Sequence, residues 1–71
     1  MDTDLFEKEL ATYEKNKELL LAKHRGKYVL IKGDQIFGVF DTQADAARVG
    51  YEKIGVKPFL IKKVLENDLH Q

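Results

Sequence analysis

Apolar residues recur along the first third of the chain at spacings of three and four: Phe6, Leu10, Tyr13, then Leu20 and Leu21. That period places them on one face of a helix. Lys17 interrupts the stripe, but its alkyl stem can lie along a core while the amine reaches water. Asp4 with Glu7 three residues later resembles a capping box, with Asp in place of Ser or Thr, so the helix is expected to start there. It should stop near Lys23. Gly26 suits a left-handed C-terminal position, and Lys23, His24 and Arg25 favour the negative end of the helix dipole.

The pattern then changes. Tyr28-Val29-Leu30-Ile31 is short, β-branched and flanked by glycine, which predicts a strand. Gly33-Asp34 or Asp34-Gln35 supplies a hairpin turn, and Ile36 to Phe40 is the returning strand. Gly38 inside it suggests a bulge or a close approach by another group. Thr42 caps a second helix, with Asp45 near its positive end. Ala46, Ala47, Val49, Gly50, Tyr51 and Ile54 form the inner face of that helix. A mid-helix glycine is unfavourable by about 1 kcal/mol relative to alanine, so close packing is expected to justify Gly50. Gly55 ends the helix. Lys57-Pro58 opens a third strand, Phe59 to Val64, and Glu66 to Gln71 reads as a frayed polar tail.

The predicted order is α-β-β-α-β, an α+β fold with a three-stranded antiparallel sheet and two helices. A helical crossover sends the third strand back beside the first, giving strand order 2-1-3. One small domain is expected over residues 1–71, with an ordered core at about 4–65. A regular hairpin with a two-residue loop puts Val29, Ile31, Ile36 and Phe40 on one sheet face. Tyr28, Leu30, Phe37 and Val39 fall on the other. An antiparallel sheet with one wet face alternates apolar and polar residues. This one lacks a polar face, so both sides should be covered, by its own helices or by a partner.

Composition narrows the partners and the chemistry. At 71 residues, a single core supplies only roughly 3–5 kcal/mol of net stability, and such domains often gain the rest from disulfides, metals or association. There is no cysteine, which excludes disulfides and thiolate zinc sites. It also suits a reducing compartment. No basic segment followed by an apolar one opens the chain, and no apolar run approaches the roughly 20 residues that span a bilayer. The expectation is a cytoplasmic protein with no membrane partner.

Twelve basic and twelve acidic side chains cancel. Residues 1–22 hold six acids against three lysines, a net charge of −3. Residues 23–63 hold nine bases against four acids, a net charge of +5. This asymmetry reads as intramolecular charge balance. A net charge of zero offers no overall attraction to phosphate polymers.

No catalytic constellation is evident. The chain has no serine, and His24 and His70 lack a partner at a suggestive spacing. Asp34 and Asp41 would stand about 20 Å apart at the two ends of one strand, too far for joint acid–base work. Gly33 to Gly38 contains two glycines, but a phosphate loop joins a strand to a helix N-terminus and this segment lies in a hairpin. No catalytic, cofactor-binding or metal-ligating residue is therefore assigned, and no cofactor.

The segment Lys23-His24-Arg25-Gly26-Lys27-Tyr28-Val29, the glycine-containing hairpin, and Gly50 to Lys63 resemble a family of short bacterial and archaeal domains of unknown function. In that family a leading helix ends in a Lys-Tyr-Pro-Gly-Lys-Tyr-Val-like turn, and Arg25 stands here where proline is common. The resemblance spans nearly the whole chain. It implies the same helix, hairpin, helix, strand order and carries no activity.

The sequence thus points to a non-enzymatic protein-interaction or dimerisation module, with a second copy or another protein as partner. Its interface would be Tyr28, Leu30, Phe37 and Val39 if both helices share the opposite face. The alternative is a weak single-stranded nucleic-acid-binding domain using Lys23, Arg25, Lys27, Lys57, Lys62 and Lys63 beside Tyr28 and Phe59.

Overall fold

The computed structural model describes residues 6–66. Its elements are α1 (Glu7–His24), β1 (Tyr28–Lys32), β2 (Gln35–Phe40), α2 (Gln43–Lys53) and β3 (Leu60–Lys63). The three strands form an antiparallel sheet in the order β2-β1-β3. This is the α+β architecture expected from the sequence. Asp4, half of the expected capping box, and residues 67–71 of the polar tail lie outside the described residues. Within them, Phe6 occupies the N-cap of α1 and makes no side-chain cap bond.

The local signals act where the sequence places them. Gly26 and Gly55 follow the two helices, both at φ +85°. The Thr42 hydroxyl accepts the Asp45 N–H at 3.1 Å and starts α2. Gly33-Asp34 joins β1 to β2 between the paired residues Lys32 and Gln35. Gly33 has φ +62° and Asp34 does not have positive φ, which is the pattern of a type II′ turn. The β1–β3 ladder continues past the strand ends, where Val64 N–H donates to the Lys27 carbonyl at 2.8 Å and Gly26 N–H to the Val64 carbonyl at 2.8 Å.

Each helix covers its own face of the sheet. Tyr13 and Leu20 of α1 cluster with Val29, Ile31 and Val64, and Val39 packs against that cluster. Leu30 points the opposite way and is also fully buried. Its cross-strand neighbours are Gly38 and Ile61. On that side α2 packs across all three strands, burying Ala46 and laying Gly50 against the Phe59 ring. The central strand is thus buried from both sides, which explains its unbroken apolar sequence.

The hairpin faces differ from the regular pattern. Tyr28 pairs with Phe40, Val29 with Val39 and Leu30 with Gly38, but Ile31 pairs with Ile36. Phe37 is the extra residue of a β-bulge, and beyond it every β2 side chain exchanges faces. Val39 therefore lies beside Val29 under α1, and Phe40 beside Tyr28 on the α2 side. Gly38, at φ +157°, is required here: a β-carbon would stand 2.8 Å from Phe40 Cζ.

The inner face of α1 also departs from its apolar stripe. Glu9 and Thr12 are buried, whereas Leu10 and Leu19 are exposed. The reason is the hairpin turn. Glu9 Oε2 accepts the Gly33 N–H at 2.7 Å, and the Thr12 hydroxyl donates to the Gly33 carbonyl at 2.8 Å. Two side chains of α1 thus satisfy both polar groups of one turn residue, which would otherwise be left beside an apolar core.

Candidate interaction surface

With a helix on each face, the four residues expected to form one apolar patch do not share a surface. Leu30 is sealed inside and has no exposed area. Tyr28 lies half-buried on the α2 side, where the Lys63 ammonium stands 5.8 Å from its ring centroid. Val39 is on the α1 side, and Phe37 is the bulge residue. The bulge separates Val39 from Tyr28 and Leu30, and α2 occupies the face a partner was expected to cover.

The six basic residues do not converge either. Arg25 pairs with Glu66 at 2.7 Å, and Lys27 with Asp41 at 2.6 Å. The Lys27 hydrogen bond and its charge hold the Asp41 carboxyl below its ordinary value, against a small opposing effect of burial. Lys62 and Lys63 alternate across β3. The Lys62 ammonium stands 5.3 Å from the Tyr13 ring centroid under α1, while Lys63 lies over Tyr28 on the other face. Lys23 belongs to the last turn of α1, and Lys57 to the exposed loop before β3. His24 is half-buried at the end of α1, and His70 lies outside the described residues.

The accessible features left are the two edges of the sheet and a few apolar side chains. The edges differ in chemistry. β3 is four residues long, carries Lys62 and Lys63, and follows Pro58. Short length, lysine and proline are the usual devices that keep an edge from pairing with another chain. β2 is six residues long, Gln35 to Phe40, and carries no charge. Among the described residues, its outer side pairs with no strand. Gln35 and Ile36 are exposed, and Phe37, Val39 and Phe40 are half-buried. The bulge is the one guarding device on this edge.

Sequence reasoning missed Gln35 and Ile36 as members of a candidate surface. The absence of charge from Gln35 to Phe40 was the available signal, and it gains meaning only once β2 is placed at an edge. Away from the edges, Tyr51 is 68% exposed and stands edge-on to Phe59 at 5.5 Å, and Val56 is fully exposed. Among the described residues there is no cavity and no group of three or more His, Asp or Glu that could hold a metal ion. No helix among them is long and apolar enough to cross a membrane. The chain matches no protein-family model, no curated protein and no solved structure.

Proposed function

We propose that this chain is a non-enzymatic interaction module that receives a protein partner by strand addition at the β2 edge. The observation that carries the reading is the contrast between closed faces and an uncharged edge. Leu30 and the Val29–Ile31 pair are already covered by α2 and α1, so neither face is left for a partner. Among the described residues no strand lies outside β2, whose edge carries Ile36, Phe37, Val39 and Phe40. In strand addition the main chain supplies affinity and alternate side chains supply specificity.

The test uses a lysine, the residue that natural edges use for protection. Ile36 is exposed, so Ile36→Lys should leave the melting curve nearly unchanged while abolishing cross-linking to any partner in cell extract. Leu19→Lys, on the exposed side of α1, should leave the cross-linked species intact. Partners captured equally by the native chain and by Ile36→Lys would refute the edge as the docking site.

A further inference from the structure

We propose that the partner at this edge is a second copy of the chain, joined β2 to β2 in antiparallel fashion across a two-fold axis. The inference rests on the reading of β2 as the docking edge and names its occupant. The product is a continuous six-stranded sheet, β3-β1-β2-β2-β1-β3, with a helix pair on each face.

Charge decides between the two edges. A two-fold contact pairs residue i of one copy with residue j of the other and j with i, so charges of one sign clustered on an edge strand are brought close to the same charges of the second copy. Like charges directly opposite one another across strands are destabilising. Two β3 strands would bring Lys62 and Lys63 of one copy against Lys62 and Lys63 of the other. Two β2 strands bring no charge together over Gln35 to Phe40, which has none, and of the acids at its two ends, Asp34 and Asp41, the latter is already paired with Lys27. Self-pairing is therefore blocked at one edge and permitted at the other. The net charge of zero removes the long-range repulsion that keeps many small proteins apart.

The side chains at such a seam are matched as well. Ile36 and Val39 lie on the α1 face with Ile31 and Val29. Across the axis they meet the same residues of the second copy and continue that apolar row. Phe40 extends the Tyr28 side in the same way. Ile36, exposed in the single chain, then becomes an interior residue of a wider sheet.

Sedimentation equilibrium between tens and hundreds of micromolar tests the proposal. The native chain should show a concentration-dependent dimer. Gln35→Lys and Ile36→Lys, made separately so that one folded variant suffices, should each weaken it at least about tenfold, equivalent to about 1.4 kcal/mol. Leu19→Lys, on the exposed side of α1, should leave the dimer unchanged. Amide hydrogen exchange should show β2 protection that rises with protein concentration while β3 protection does not. A native monomer at several hundred micromolar would overturn self-pairing and leave a heterologous strand as the partner. A dimer that survives both lysine variants would overturn the β2 edge itself, and with it the parent reading.

Discussion

Replacing Gly50 by alanine measures how closely α2 lies on the sheet. A β-carbon at this position would stand 2.6 and 2.7 Å from Phe59 Cζ and Cε1, and 3.1 Å from Cε2. Carbon atoms in contact settle at about 3.5–4.0 Å, so the ring or the helix must yield by roughly 1 Å. Tyr51 stands edge-on to the ring at 5.5 Å, and Phe59 is itself half-buried. Two effects then compete. Helix propensity favours alanine by about 1 kcal/mol, while overpacking typically destabilises by about 1–3 kcal/mol. With the half-buried ring in the way, overpacking prevails and Gly50→Ala should lose about 1 kcal/mol net. For a domain of this size that lowers Tm by about 4–8 °C. The assay is a double-mutant cycle in urea with Phe59→Ala. Once the ring is gone, the same Gly50→Ala change should raise stability by about 1 kcal/mol, because propensity acts unopposed. The sign of one substitution thus depends on a residue nine positions away. If Gly50→Ala stabilises the chain equally with Phe59 present and absent, the ring is not in its way and the reasoning fails.

The clamp on the hairpin turn gives a second expectation: Glu9→Ala strands the Gly33 N–H and should lose about 1–3 kcal/mol, and Glu9→Gln less, in denaturant unfolding; equal stability of Glu9→Ala and the native chain would contradict it. Lys27 depresses the folded-state pKa of Asp41, so whatever this exposed pair contributes is complete above the unfolded carboxylate pKa and is lost as pH falls through the folded one. An NMR titration should place the Asp41 midpoint below 3.8, and Lys27→Met should bring it back up; a midpoint unmoved by that substitution would remove Lys27 as the cause. Labelled single-stranded RNA and DNA should show no salt-dependent binding at tens of micromolar protein, since Arg25 and Lys27 are ion-paired and Lys62 and Lys63 face opposite ways; steep salt-dependent binding would restore that alternative.

Much of the fold was legible because it depends on local chemistry. Thr42, Gly33-Asp34 and the two helix-ending glycines act through a few neighbouring residues, and each appears where the sequence puts it. The central position of β1 was legible from its continuous apolar run. The hairpin faces were misread for a specific reason: Gly38 signalled a bulge, but its consequence, one residue of phase carried through Val39 and Phe40, was left out of the pairing. Counting Phe37 as unpaired would have set Val39 beside Val29. The inward turn of Glu9 and Thr12 had no local signal. Both answer to Gly33, more than twenty residues away, and polar residues on an apolar helix face read as interruptions until their acceptor and donor are in place. The distribution of the helices between the two faces was likewise hidden, because both faces of the sheet are apolar and either arrangement fits the same pattern.

The strand order also bears on how the chain is made. β1 meets β2 across a two-residue turn, but its other neighbour, β3, is synthesised roughly thirty residues later. A chain synthesised as far as Lys53 therefore has β1, β2 and α2 but leaves the second edge of β1, Val29 to Ile31, apolar, uncharged and without its strand partner. The strand that arrives last brings Lys62 and Lys63 to that side. In the finished sheet they occupy an outer edge, and during synthesis they mark the moment at which an adhesive intermediate becomes a protected one. Chains stalled before Leu60 should accordingly depend on chaperones, and release from that dependence should coincide with the emergence of β3.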